Sequence, residues 1–322
     1  MEVSKMYSSH NCSRPNATKA SRGFTLLELL IALVIGSVVI AAVGGLFLAN
    51  TNTFKTVDDN SRLQENGRFA LQTLERAVHQ AGFAPVDVLQ LVKNQKDAFP
   101  ATLGGIPGAT VIAGRDAVGP NSSDTLTVAF LEDSIGQMLD CGGISRTNPL
   151  ATSLASITYP VESKFYVDVA NAGASAGFSL WCDVTINNVI KGHYELITGV
   201  ESFQVLYGVN SRITSLTGVG SSTSSVEADF YTSANNLSGI QFRAIRGLQV
   251  ALVLRGAERS TLDLARTTNT LNLFGSQADR VTPLYDGLVN ADAGAVYTIQ
   301  PADKLRAFQV ITSNIDLRNG AT

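Results

Sequence analysis

The chain has 322 residues with a net charge of -3, 45% hydrophobic and 16% charged residues. That length holds one large domain or two small ones. The absence of a basic excess argues against a nucleic-acid-binding protein.

The charge is unevenly placed. Residues 1–23 carry Lys5, Arg14, Lys19 and Arg22 against Glu2 alone. A basic head before an apolar run is a membrane-orientation signal, because positive flanks stay in the cytoplasm. The run is Phe24–Leu48, 25 residues with Glu28 as its one formal charge. At ~1.5 Å per residue a helix of that length covers roughly 37 Å, enough for a hydrocarbon core of ~30 Å. A cleaved secretory signal would need a shorter apolar region, a small-residue exit and no internal acid. A plain membrane anchor accounts for the length and the basic flank. It leaves Glu28 without a reason, although an ionisable group in lipid costs at least ~2.5 kcal/mol on insertion scales. Gly36, Gly44 and Gly45 interrupt the run. They suit either close helix packing or a segment able to unwind, since each costs ~1 kcal/mol against Ala.

A third reading takes the string Arg22, Gly23, Phe24, Thr25, Leu26, Leu27 and Glu28 together with the basic head and the apolar run. Here the sequence resembles the signal of type IV prepilins and type II secretion pseudopilins. The resemblance implies that a prepilin peptidase cuts after Gly23 and methylates the new amino terminus of Phe24. It also implies that Glu28 pairs with the amine of a neighbouring subunit and sets register during assembly. A carboxylate and an ammonium in lipid are tolerated when paired.

Beyond the membrane-length run the helix is predicted to continue. Leu63, Gly67, Ala70, Leu74, Ala77 or Val78, and Ala81 recur at spacings of three and four, the period of one buried helix face. Gly82 and Pro85 supply a stop. Asp58 and Asp59 are read as a solvated acidic pair, as are Glu132 and Asp133.

After Pro85 the pattern changes to alternating β-branched runs: Thr125–Leu131, Lys164–Ala170, Phe178–Ile186, Tyr194–Tyr207, Leu248–Leu254 and Ala307–Leu317. Turn-rich stretches separate them at Leu103–Gly108, Gly142–Pro149 and Ala170–Gly177. Residues 211–236 and 266–287 are expected as long loops. The order of Asp124–Leu131, Asp140–Gly143, Phe165–Val167, Leu180–Cys182, Leu196–Gly208, Leu248–Arg255 and Ile315–Asn319 is similar to the PilW family of minor pilins.

Three cysteines are present, Cys12, Cys141 and Cys182. Loss of the head would leave an even pair, the parity of an exported protein with one disulfide. In the periplasm that the resemblance implies, Cys141 and Cys182 are expected to pair. Closing a loop of that size is worth roughly 3–4 kcal/mol in the chain-entropy model.

No catalytic motif accompanies these features. The sequence has no G-x-S-x-G, H-E-x-x-H, Walker A or complete dinucleotide fingerprint. His10 lies in the head, and neither His79 nor His193 neighbours a nucleophile motif. Carboxylates around Asp133–Asp140 lack the spacing of an EF-hand.

The expected fold class is therefore α+β, a long N-terminal helix packed on an antiparallel β-rich domain. The expected segments are a cytoplasmic leader (1–23), a membrane and filament helix (24–53), its amphipathic extension (54–82) and a periplasmic domain (83–322). No cofactor, metal or nucleic acid is called for, and no catalysis. The resemblance implies a minor type IV pilin that primes or caps pilus assembly with other minor pilins, a major pilin and a tip adhesin. The alternative is a minor pseudopilin of a type II secretion system.

Overall fold

A computed structural model describes residues 23–85, 99, 102–108, 111–132, 136–146, 160–173, 177–210, 228, 230–239, 241–259, 269–274 and 296–318. The leader at 1–22, Asp133, residues 211–227 and 229 of the first expected long loop and 266–268 and 275–287 of the second lie outside the described residues, and the described parts of the two loops carry short strands, Phe230–Thr232 and Thr270–Asn272. The chain divides into two compact units between Thr51 and Asn52. The fold is α+β: one long N-terminal helix, and antiparallel sheets on which the helical part of the second unit packs.

Helix α1 spans Leu26–Gln80. Within the first unit its apolar side chains are exposed, Leu26 at 77% and Leu33 at 63% among them. Within the second unit it buries Asp59, Leu63, Gly67, Ala70, Thr73, Leu74, Ala77 and Val78. Those positions repeat at three and four, so one stripe faces the core while Arg62, Glu65, Arg68 and Glu75 stay exposed. The helix stops where Gly82 takes φ +75 and donates its N–H to the Ala129 carbonyl at 2.8 Å.

Thirteen strands follow among the described residues. They are β1 (Thr102–Leu103), β2 (Ile106–Pro107), β3 (Ile112–Arg115), β4 (Thr125–Phe130), β5 (Val161–Val169), β6 (Phe178–Ile186) and β7 (Val189–Thr198). Then come β8 (Val200–Val209), β9 (Phe230–Thr232), β10 (Ile245–Arg259), β11 (Thr270–Asn272), β12 (Val296–Thr298) and β13 (Arg306–Asp316). A five-stranded sheet runs β3-β4-β5-β6-β7 and a four-stranded sheet runs β13-β10-β8-β9. Two small hairpins, β1–β2 and β11–β12, complete the set. Every pairing is antiparallel.

Strand β10 explains why Leu248–Leu254 is apolar without alternation. Leu248, Val250, Leu252 and Leu254 enter the main core with Leu63, Leu74 and Val78 of α1. Ala251 and Val253 face the other way and are covered by Leu273, Tyr297 and Ile299. A strand covered on both faces has no solvent side to mark with polar residues. The helix comes close enough that a Cβ at Gly67 would stand 1.9 Å from the Ile311 side chain and 3.0 Å from that of Leu254.

Two expectations are corrected. The run Tyr194–Tyr207 is not one strand but parts of β7 and β8, which belong to different sheets. Gly199 stands between them at φ +77, a backbone conformation open to glycine. Its N–H donates to Phe178 O at 2.9 Å and its carbonyl accepts from Arg255 N at 2.7 Å, so it is bonded to both sheets. The second correction concerns the acidic pairs. Asp58 is exposed and meets Arg62 at 3.0 Å, but Asp59 is 5% exposed and Glu132 is 9% exposed. Burial raises the Glu132 pKa, with Arg146 opposing.

Asp59 is buried because β10 bulges next to it. The pairing of β10 with β13 shifts register between Arg255 and Arg259, and the Ala257 N–H freed from the ladder donates to Asp59 Oδ1 at 2.9 Å. Asp59→Ala would remove this hydrogen bond to a charged acceptor, a loss of about 1.5–3 kcal/mol. The expected result is a lower urea midpoint for the full chain in detergent and faster amide exchange at Ala257. An unchanged midpoint would show that solvent reaches the bulge.

Candidate functional site

The segment Gly23–Glu28 opens α1. Thr25 stands just before the helix, its carbonyl accepting the Leu29 N–H at 3.2 Å. Its Oγ1 also accepts the Glu28 N–H at 3.2 Å. That is an N-cap, with the acid at the third helical position of a T-x-x-E string. A carboxylate there also faces the positive end of the helix dipole. Glu28 thus has a local reason to be acidic besides the one that the resemblance implies. The sequence places Thr25 in the signal string, and its role as a cap was legible in the T-x-x-E spacing but not drawn from it.

Phe24 is 85% exposed. A Cβ added at Gly23 would find nothing within 4 Å. Among the described residues the fold places no steric demand for glycine at that position. The same holds for Gly36, Gly44 and Gly45, where an added Cβ meets nothing within 4 Å. Among the described residues α1 is the one helix long and apolar enough to cross a membrane.

The structure joins Cys141 and Cys182 in a disulfide with Cα atoms 6.4 Å apart. Cys182 lies mid-strand in β6 and is fully buried. Cys141 lies in a turn built on the buried Asp140. One oxygen of that carboxylate accepts the Ile144 N–H at 2.9 Å. The other meets Arg146 Nη2 at 2.6 Å and accepts from its Nε at 2.8 Å. Arg146 thus balances the charge of Asp140. No group of three or more metal-ligating side chains exists among the described residues.

A second polar cluster was invisible in the sequence. Arg255 Nε lies 2.6 Å from Glu201 Oε1, and Arg255 Nη1 lies 2.9 Å from Asp303. Tyr297 OH donates to Glu201 at 3.4 Å. Asn121 Nδ2 donates to the Glu201 carbonyl at 2.8 Å. Burial raises the Glu201 pKa, while Arg255 pulls it back down. The cluster ties β8, β10 and β12 together. His193, on β7, stacks on Trp181 at 4.4 Å between ring centroids. Its Nδ1 is 2.6 Å from Asp183, and Tyr166 OH donates to the same carboxylate at 3.1 Å.

Comparison with known families finds two matches. The type IV pilus-assembly protein W family matches residues 164–319. The prokaryotic N-terminal methylation motif matches residues 18–44. No curated protein matches the chain. Among solved structures, a type IV-like pilin from Thermus thermophilus aligns at a TM-score of 0.43 with 10% identity. That alignment covers 81% of this chain and all of the other.

Proposed function

This chain is a type IV pilin-like minor pilin of the PilW kind, and from that premise we propose that it is processed after Gly23 and works as a non-catalytic subunit in priming or capping a pilus. The observation that carries the reading is the opening of α1. An unencumbered Gly23 and an exposed Phe24 stand before a capped helix whose acid is Glu28 and whose following residues are apolar and exposed.

In this reading a prepilin peptidase removes residues 1–23 on the cytoplasmic face and methylates Phe24. The apolar part of α1 holds the subunit in the inner membrane, with residues from about 52 onward in the periplasm. The oxidising periplasm suits the Cys141–Cys182 bond. The apolar helix then leaves lipid for the filament core, exchanging one apolar surrounding for another. The sheets offer surfaces to other minor pilins, to the major pilin and to a tip adhesin. The match of 164–319 to the pilus-assembly family favours a pilus over a type II secretion pseudopilus, which shares the N-terminal signal.

The test is the intact mass and N-terminal sequence of the membrane-extracted protein, with and without active prepilin peptidase. The reading expects N-methyl-Phe24 only when the peptidase is active. Gly23→Val should leave the chain full length in both strains, because the cleavage is lost while the fold has no use for the glycine. A chain starting at Met1 in peptidase-positive cells would overturn the reading.

A further inference from the structure

Two cavities of about 510 and 500 Å³ lie along the solvent side of α1 and share Gln72 and Glu75. Together they form one groove between the helix and β13, from Gln64 to Gln80. At ~1.5 Å per residue that stretch of helix is about 24 Å long. An extended peptide rising ~3.3 Å per residue would fill it with about seven residues.

The groove is basic. Arg68, Arg76 and Arg318 line it against the single carboxylate of Glu75. Arg76 is held against the domain, its Nη2 donating to the Asp140 carbonyl at 3.3 Å. Arg68 and Arg318 are exposed, so acidic side chains on an extended peptide in the groove would reach their guanidinium groups.

We propose that this groove is a docking site for an acidic, extended peptide segment of a neighbouring pilin subunit. The identity of that subunit rests on the minor-pilin reading, whereas the chemistry of the groove does not. The bound segment lies along α1 and places its carboxylates on Arg68 and Arg318.

The test uses the full chain carrying Gln72→p-benzoylphenylalanine, expressed in cells that assemble the filament, with the crosslinked peptide mapped by mass spectrometry. The expected product is a net-negative segment of a pilin subunit, and Arg68→Glu with Arg318→Glu lowers its yield at least tenfold. A parallel measurement takes the detergent-solubilised full chain and two labelled heptapeptides, one alternating Glu and Ser, the other Lys and Ser. The acidic peptide is expected to bind at least tenfold tighter, and the double variant to lose that preference. Crosslinks that reach only lipid, that map to an uncharged or basic segment, or that persist after charge reversal overturn the proposal. So does equal binding of the two peptides, which would mean that the groove does not select for acidic side chains. The mass of the amino terminus separates the two ideas. A chain cut at Phe24 that fails these tests sinks the groove alone, and an uncut chain that binds the acidic peptide sinks the minor-pilin reading alone.

Discussion

Glu28→Ala is expected to insert in the membrane, to be cut after Gly23, and to enter filaments at least tenfold less than the native chain. Insertion survives because removing a carboxylate from an apolar helix makes its transfer into lipid easier. Assembly suffers because the methylated amine of a neighbouring Phe24 loses the charge that would meet it in a medium where unpaired ions are costly. The structure supplies a competing explanation, since Glu28 also occupies the third position of a helix capped by Thr25. Two further variants separate them. Glu28→Gln keeps a side chain that serves at that helical position but carries no charge, and Thr25→Ala removes the cap but keeps the charge. If register depends on the ion pair, Gln fails as Ala does, and Thr25→Ala assembles. If Gln assembles and Thr25→Ala does not, Glu28 acts through the helix end and the register role is wrong. Quantitative immunoblots of sheared filaments read the outcome, with membrane fractions as the insertion control.

The second large effect is expected at Arg255. Arg255→Ala should destabilise the folded chain by about 3–5 kcal/mol at neutral pH, the usual result of leaving one member of a buried ion pair behind. The stranded group is the Glu201 carboxylate, 4% exposed as a residue. Its pKa is already raised by burial even with Arg255 present, and loss of the guanidinium would raise it further. The sign follows from linkage. A carboxyl whose folded pKa lies above its unfolded value favours the folded state while protonated, and that contribution is lost as pH rises through the folded pKa. The penalty of Arg255→Ala should therefore shrink on acidification below the Glu201 titration and grow above it. Urea unfolding at several pH values measures the trend. Arg255→Met combined with Glu201→Gln should recover much of the loss, because no charge remains buried. A pH-independent penalty would show that Arg255 contributes by packing instead.

Periodicity made much of the fold legible in advance. The buried stripe of α1 could be read residue by residue because each member repeats at three or four. The strands Thr125–Phe130 and Phe178–Ile186 could be read because short runs rich in β-branched, aromatic and apolar residues lie between turns. What escaped were features whose cause lies far along the chain. Asp59 looks solvated beside Asp58, and only a bulge 198 residues away buries it. Glu201 and Arg255 have no spacing that announces a pair, since each sits in a strand whose neighbours decide which side chains meet. Gly199 was visible as a letter, but nothing local says that a glycine between two apolar runs turns the chain from one sheet into another. The opening of α1 was the reverse case. Its residues and their order were plain, and what structure added was the cap at Thr25 and the absence of any steric need for Gly23.

That one-residue link has a consequence for cooperativity. Strand β7 ends the five-stranded sheet, and β8 lies inside the four-stranded one, with Gly199 bonded to Phe178 on one side and Arg255 on the other. There is no slack between them to absorb the opening of either sheet. Fraying that begins at the outer edge of β7 travels within a single residue to the middle of the second sheet, where β8 supports both β9 and β10. The two sheets are therefore expected to open together, in one cooperative unfolding transition followed by amide exchange in both.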